Sequence, residues 1–278
     1  PWEKYPKPLM ETNADWRCPG HGTVVEDERG RTWFLYHAYR RDDFVYGGRQ
    51  ALLDEVVWGR DGWPSINEGR GASSVSPSPY NTRDSKAEMS FFDDFLSATL
   101  KPGWQWPQAS EPNFSVRRGQ LLLTPSASPA HSPSTAVVAR TTTSGDYVAT
   151  TVVDMRRAGE PLFAGLSAYG DAENALGVSV DNKSAVVLWR REKNNYTENV
   201  ITDFMAGARR MHLRMTAREG RLYRFAASGD GRTWKDVGGE VDGSFLPPWD
   251  RGVRVALVAG GMLSMPVRFE SLRIEPTR

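Results

Sequence analysis

The sequence has little of several features that mark common classes of protein. It holds one cysteine, Cys18, so no disulfide can form within the chain and no paired-cysteine metal site exists. No apolar run approaches the roughly 20 residues that are needed to cross a bilayer. An excess of one charge is also lacking, because 35 basic residues face 34 acidic ones. This balance argues against nucleic acid and against an anionic membrane as the main partner.

Helical periodicity is nearly absent as well. Short apolar runs recur between Gly, Asp, Asn and Pro, at the spacing of about 8–12 residues that is typical of all-β proteins. Turn signals such as Asp61-Gly62 and Glu219-Gly220 lie between the runs. The predicted strands are 31–39, 50–58, 119–124, 146–153, 164–169, 176–180, 185–190, 211–217, 221–227, 252–259 and 267–274.

One break in composition divides the chain. Residues 69–88 are mostly Ser, Pro, Gly and charged side chains, and such a stretch cannot offset its ordering entropy unless it lies along another domain. We interpret it as a linker between a unit over 1–68 and a unit over 89–278. The second unit has the size of a two-sheet sandwich. The first unit would form a lone sheet with two open edges, so we expect it to be part of a larger body.

The chain is rich in flat aromatic rings, with ten tryptophans and nine tyrosines. Such rings serve carbohydrate recognition as well as ordinary packing. Trp104 and Trp106 would point to the same face of an extended segment. They would either stack on a sugar or, as we prefer, seal the contact between the two units.

Four ordered motifs in the first unit resemble one known family. They are Gly20-His21-Gly22, Tyr36-His37-Ala38, Gly48-Arg49-Gln50 and Asp61-Gly62-Trp63-Pro64. In this order, within about 45 residues, they resemble the closing blades of a glycoside hydrolase family 43 propeller. That family includes β-xylosidases and α-L-arabinofuranosidases.

The second unit resembles the concanavalin A-like sandwich found at the C-terminus of many such enzymes. The similarity is carried chiefly by Phe91–Phe95, Ser228–Trp234 and Val267–Ile274. Together the two resemblances imply an all-β fold, the terminal part of a five-bladed β-propeller followed by a two-sheet, jelly-roll sandwich.

The resemblance also implies an activity that this chain does not carry alone. In the family two aspartates and a glutamate perform catalysis from the first three blades, so we assign no catalytic residue here. The expectation is the C-terminal portion of an inverting glycosidase for xylo- or arabino-configured oligosaccharides or polysaccharides. A second polypeptide, or an N-terminal segment outside this sequence that begins at Pro1, would complete the propeller. The alternative is a non-catalytic carbohydrate-binding or structural sandwich. The sequence assigns no compartment.

Three residues are candidates for substrate binding. The guanidinium of Arg49 offers a rigid fork of donors that suits sugar hydroxyls, and the resemblance implies a place in the innermost subsite. Its alternative is a surface ion pair. Gln50 is a second candidate, although it alternates to the opposite face of a strand. The resemblance implies that a sandwich aromatic closes the pocket, and Phe163 is the candidate; its alternative is an ordinary strand phenylalanine.

Three further residues are candidate metal ligands. The resemblance implies that His21 binds an axial ion, often calcium, or an ordered water, whereas a turn histidine bonded to a carbonyl is the alternative. Asp93 and Asp94 are candidates for a structural calcium, or else form a solvated turn. His37 would either line the axis or pack beneath it. No organic cofactor is predicted.

Overall fold

The structure is a computed structural model that describes residues 3–42, 44–80, 90–107, 111–126, 132–155, 162–181, 185–201, 208–247, 249, 251–261 and 265–277. In that part, the chain is built from β-strands, with one helix of four residues and one 3-10 turn. The expectation of an all-β protein is confirmed. No helix in the described ranges is long and apolar enough to span a membrane.

The first unit is an open antiparallel sheet of four strands. They are β1 (Trp16–Glu26), β2 (Thr32–Arg40), β3 (Arg49–Trp58) and β4 (Pro64–Ile66), paired in that order. Helix α1 (Phe44–Gly47) connects β2 to β3, and the 3-10 turn (Asn67–Gly69) follows β4. The sheet does not close on itself, because β1 pairs only with β2 and β4 only with β3 among the described strands.

One face of this sheet carries a small apolar core. It consists of Trp16, Tyr36, Ala38, Leu52 and Ala72. Ala72 belongs to the predicted linker, so the described part of that segment lies along the first unit.

A buried carboxylate secures this part of the linker. Asp54 is 3% exposed and accepts hydrogen bonds from the hydroxyl of Tyr36 at 2.5 Å and from the hydroxyl of Ser73. Further along, Arg31 donates to the carbonyl of Pro79 at 2.9 Å. Residues 81–88 of the predicted linker lie outside the described residues.

The second unit is a sandwich of two antiparallel sheets, of six and nine strands. Its strands are β5 (Phe91–Asp93), β6 (Asn113–Arg117), β7 (Gln120–Thr124), β8 (Ala136–Arg140), β9 (Tyr147–Asp154), β10 (Leu162–Tyr169), β11 (Ala175–Asp181), β12 (Val186–Glu192), β13 (Asn195–Ile201), β14 (Arg210–Arg218), β15 (Leu222–Ser228), β16 (Lys235–Asp236), β17 (Val241–Asp242), β18 (Arg254–Gly261) and β19 (Val267–Pro276). The six-stranded sheet has the order β13-β12-β11-β10-β18-β8. The larger sheet has the order β16-β15-β14-β9-β19-β7-β6, with β17 on β15 and β5 on β19.

The sandwich core follows from alternation along the strands. In β14, Met211, Leu213 and Met215 are fully buried, while the residues between them are partly exposed. Strands in the middle of the six-stranded sheet are buried on both faces, as in β18. Their outer face holds a second apolar cluster that includes Tyr169 and Trp189.

A buried aspartate organises the start of the sandwich. Asp93 has no exposed surface and accepts hydrogen bonds from the backbone amides of Phe95 (3.0 Å) and Lys101 (3.4 Å) and from the indole of Trp104 (2.9 Å). Trp104 is 8% exposed and belongs to the sandwich core, so our preference for it at the contact between the two units was wrong. Its burial follows from this hydrogen bond, which satisfies the indole inside the core.

Candidate functional site

The glycine-flanked histidine lies inside β1 and not in a turn before it. The pairing of β1 with β2 shifts register twice, between Arg17 and Gly20 and between Gly20 and Thr23. His21, between the two shifts, has a φ of 49°, in the left-handed region. A side chain at Gly22 is excluded, because a methyl group there would lie 2.7 Å from the Phe34 ring. The irregular strand therefore re-aims the His21 side chain while Gly22 lets β2 approach closely.

Strand register brings four polar side chains together on one face of the sheet. His37 of β2 pairs with Gly20, and Tyr39 pairs with Arg49 at the start of β3. The rings of His21 and His37 have centroids 6.0 Å apart, and those of His37 and Tyr39 are 6.2 Å apart. Arg49 Nε donates to the Tyr39 hydroxyl at 2.9 Å. We call His21, His37, Tyr39 and Arg49 the polar cluster.

The electrostatics of the polar cluster favour a neutral His37. Burial lowers the pKa of His37, electrostatic repulsion from Arg49 and His21 lowers it further, and a hydrogen bond to the His21 backbone opposes the shift. A neutral imidazole offers one hydrogen-bond donor and one acceptor, whereas Arg49 offers only donors. Arg49 and His21 are exposed and His37 and Tyr39 are half-buried, so the cluster is open to a ligand.

The polar cluster is equipped to bind a polyhydroxyl ligand but not to cleave it by inversion. Inverting hydrolysis needs two carboxyl groups about 6.5–9.5 Å apart, one as acid and one as base. None of the four side chains of the cluster is a carboxylic acid. The cluster can therefore orient a sugar, while the proton transfers need groups from elsewhere.

The structure does not bring the other two substrate-binding candidates to the polar cluster. Gln50 pairs with Ala38 and lies on the core face, opposite Arg49, as the alternation predicted. Phe163 is 7% exposed and belongs to the second apolar cluster, on the outer face of the six-stranded sheet. Its role as a closing residue stays a prediction.

The described residues hold no group of three or more His, Cys, Asp or Glu that could bind a metal ion. His21 alone supplies one nitrogen, whereas calcium prefers six to eight oxygen ligands. Asp93 accepts three N–H donors, so its oxygens are engaged in the sandwich. Asp94 accepts one, from the Leu96 amide at 3.2 Å. Neither His21 nor the pair Asp93 and Asp94 supplies enough oxygen ligands for a calcium ion. An ion at His21, or at the two aspartates, stays a prediction.

Tyr39 is the member of the polar cluster that sequence reasoning missed. It follows His37 by two positions, so alternation alone predicts that the two rings share a face. Its partnership with Arg49 depends on the register of β2 against β3, which no sequence motif gives. The four-residue helix α1 lies in the connection between these two strands.

Comparison with protein families gives two matches, one on each side of the linker. The family described as glycosyl hydrolases family 43 matches residues 1–64. The family described as the β-xylosidase C-terminal concanavalin A-like domain matches residues 92–266.

Two curated proteins are similar to this chain. A xylosidase/arabinosidase 43B from Humicola insolens is 27% identical over 267 residues, covering 88% of this chain and 49% of that protein. A non-reducing end α-L-arabinofuranosidase, BoGH43B, from Bacteroides ovatus is 26% identical over 136 residues, covering 44% of this chain and 26% of that protein. The chain thus spans no more than about half the length of these relatives.

Among solved structures, the GH43 protein BlXynB from Bacillus licheniformis has the same fold. It superposes with a TM-score of 0.80 at 24% identity, over 100% of this chain and 58% of that protein. The xyloglucan-locus GH43B of Bacteroides ovatus superposes equally well, with a TM-score of 0.80 at 19% identity. It is likewise covered over 58% of its length by the whole of this chain.

Proposed function

The chain belongs to glycosyl hydrolase family 43, and from this premise we propose that it is the C-terminal portion of an inverting glycosidase. Its substrates are oligosaccharides or polysaccharides of xylo or arabino configuration. Strands outside this chain, in a preceding segment or a second polypeptide, complete the propeller and carry the catalytic carboxylates. The relatives named as a xylosidase/arabinosidase and an α-L-arabinofuranosidase support this substrate class.

The observation that carries the proposal is the polar cluster on the face of an open sheet. An imidazole pair, a phenol and a guanidinium point together where neither edge of the sheet is paired further among the described strands. Large apolar side chains of the same sheet, Val24, Val57 and Trp58, are more than half exposed. Exposed apolar surface of this kind is usual where another part of a protein packs.

The proposed reaction divides the work between this chain and the strands that complete the ring. In inverting hydrolysis one carboxylic acid protonates the leaving oxygen while a carboxylate removes a proton from the attacking water. Arg49 binds hydroxyl oxygens of the reacting sugar through its donors, and Tyr39 holds the guanidinium in place. His37, neutral because of its lowered pKa, adds an acceptor without repelling Arg49, since its N–H is hydrogen-bonded to the His21 backbone.

The complete enzyme tests the proposal. Full-length protein that contains this chain should hydrolyse nitrophenyl β-xyloside or nitrophenyl α-L-arabinofuranoside, and proton NMR should show a product of inverted anomeric configuration. Mixing this chain with a separately produced segment that carries the missing strands should restore activity. If the complete enzyme turns over no pentoside, the substrate class is wrong; a product of retained configuration would reject inversion.

A cleft on the sandwich favours a second function, carbohydrate binding without catalysis. It encloses about 260 Å³ between the two sheets, with Leu188 and Phe225 in its lining and Thr197 and Asn199 of the outer strand β13 beside them. An apolar floor with a few polar groups is the general form of a small-ligand site. Affinity electrophoresis of the 278-residue chain on xylan, arabinan and galactan tests this function. Migration that none of the three polysaccharides slows would remove it.

A further inference from the structure

A tyrosine from the first unit is seated in a recess of the sandwich that three glycines form. The ring of Tyr46, in α1, lies against Gly145 and Gly220, and its backbone carbonyl lies against Gly252. The three glycines are buried although they come from different loops. Gly145 precedes β9, Gly220 lies in the turn between β14 and β15, and Gly252 precedes β18. We call this feature the glycine recess.

The glycine recess leaves no room for side chains other than that of Tyr46. A methyl group at Gly145 would lie 2.7 Å from Cε1 of Tyr46 and 2.8 Å from the amide nitrogen of Gly220. A methyl group at Gly220 would lie 3.1 Å from Cε1 of Tyr46 and still closer to Cδ1. The Tyr46 ring therefore fits only because Gly145 and Gly220 have no side chains.

Hydrogen bonds between the loops hold the glycine recess in shape. The amide of Gly220 donates to the carbonyl of Gly145 at 2.8 Å. Next to it, the amide of Glu219 donates to the carboxylate of Asp146 at 2.7 Å. The two loops are thus hydrogen-bonded to each other beneath the Tyr46 ring. Their surface therefore fixes the position of helix α1, which carries Tyr46.

The contact continues along the chain to Gly48, the residue before β3. A methyl group at Gly48 would lie 2.7 Å from Cα of Gly252, and Gly48 itself has a φ of 59°. A residue without a Cβ is needed here for both reasons. Arg49 follows directly, so the backbone that carries the guanidinium leaves from a point fixed on the sandwich.

We propose that Tyr46 is a positioning residue: seated in the glycine recess, it fixes the start of β3 and so aims the Arg49 guanidinium at the sugar. The inference rests on the proposed function, because it needs Arg49 to contact substrate. It makes the sandwich a part of the substrate site and not an appended module. Tyr46 itself does not touch the sugar.

A double-mutant cycle in the complete enzyme separates positioning from simple stabilisation. Residues that act through each other show coupling, so Tyr46→Ala should lower kcat/KM about tenfold when Arg49 is present and less than about twofold in the Arg49→Ala background. A purely structural Tyr46 would cost the same factor in both backgrounds, and that result would overturn the proposal.

A matched pair of glycine variants tests the recess from the sandwich side. Neither Gly145 nor Gly239 has a φ in the left-handed region, and a methyl group at Gly239 would meet no atom within 4 Å. Gly145→Ala should reproduce the loss seen with Tyr46→Ala and should also lose its effect in the Arg49→Ala background. Gly239→Ala should match the wild type. Equal activities of the two glycine variants would contradict the proposal.

A readout without catalysis keeps this test separate from the proposed function. His37 faces His21, Tyr39 and Arg49, and the Arg49 charge contributes to its lowered pKa. In the 278-residue chain, the NMR titration midpoint of His37 should rise in Tyr46→Ala, toward the value in Arg49→Ala, while that of His212 stays constant. An unchanged His37 midpoint would overturn the positioning role. Absence of pentoside turnover in the complete enzyme would instead reject the proposed function.

Discussion

The first sheet and the sandwich differ in how much apolar surface each can bury alone. Among the residues that the structure describes, the main core of the sandwich joins 33 buried residues, whereas that of the first sheet joins five. The first sheet gains further contacts from two other parts of the chain. The linker is hydrogen-bonded to Asp54, and Tyr46 packs in the glycine recess of the sandwich. The unit that carries the polar cluster is thus the one that depends on its neighbours, as is common for regions that bind ligands.

The largest effect is expected in the sandwich, at Asp93. Asp93→Ala removes an acceptor from two buried N–H groups and from the part-buried amide of Lys101, and each buried donor left unpaired costs about 1–3 kcal/mol. We expect a loss of about 4 kcal/mol in the free energy of unfolding and a melting temperature about 10 °C lower. Calorimetry of the chain measures both.

The matched control for this change is Asp94→Ala, because Asp94 accepts a single backbone hydrogen bond. It should shift the melting temperature by a small fraction of the Asp93→Ala effect. Calcium chelation should leave the wild-type melting temperature unchanged. A large fall on chelation would show that the pair holds an ion after all.

The next effect concerns the proposed binding of substrate by the first sheet. Arg49→Ala in the complete enzyme should lower kcat/KM roughly 100-fold, since this corresponds to about 2.7 kcal/mol, within the range for lost hydrogen bonds to a bound sugar. Arg60→Ala, at an exposed position of the same unit, is the control and should match the wild type. An Arg49 variant within twofold of wild type would falsify its role.

A smaller effect is expected where the linker meets the first sheet. Asp54→Ala removes the acceptor for the Tyr36 hydroxyl and for Ser73, and we expect a loss of about 2 kcal/mol that is confined to this unit. Hydrogen exchange should quicken at residues 72–74 and in β2 but not in β14. Uniform quickening across the sandwich would mean that the two units unfold as one.

The smallest effect is a change of pH dependence at His37. Its pKa is lowered in the folded chain by burial and then by the charges of Arg49 and His21, so the unfolded state binds a proton more readily. The stability that neutral His37 contributes is therefore present above the unfolded pKa of about 6.5 and is lost as the pH falls through the lower folded value. Melting temperatures measured between pH 5 and pH 8 should fall less steeply on acidification in His37→Gln. An identical pH profile would contradict this.

Much of the fold could be predicted from the sequence because alternating apolar runs and glycine turns are local signals. The runs at 31–39, 50–58 and 211–217 coincide with β2, β3 and β14, and Gly30, Gly62, Gly220 and Gly231 adopt the positive φ angles of turns. Eight of the described strands lie outside the predicted runs, namely β1, β4, β5, β6, β8, β13, β16 and β17. Among them, the edge strand β13 is polar, β6 is short, and β8 is buried at every residue except Arg140, so none of the three shows a clear alternation.

Only part of the candidate site could be predicted from the sequence, and the reason is physical. His21 and Arg49 stand in recognisable motifs, but their assembly with His37 and Tyr39 depends on two register shifts in β1 and on the pairing of β2 with β3. The glycine recess could not be predicted, because each of its glycines, taken by itself, indicates only a turn in the chain. The position of Trp104 was predicted wrongly because its hydrogen-bond partner, Asp93, lies 11 residues away and was considered only as a calcium ligand or a residue of a solvated turn.

A crystal structure of the complete enzyme with a bound pentose measures most directly whether this chain supplies a sector of a sugar site. We expect further sheets to cover the free edges of β1 and β4 around a common axis, and the guanidinium of Arg49 to lie within about 3.2 Å of a sugar hydroxyl. A pentose bound elsewhere, with Arg49 and His21 both in open solvent, would contradict the role assigned to the polar cluster.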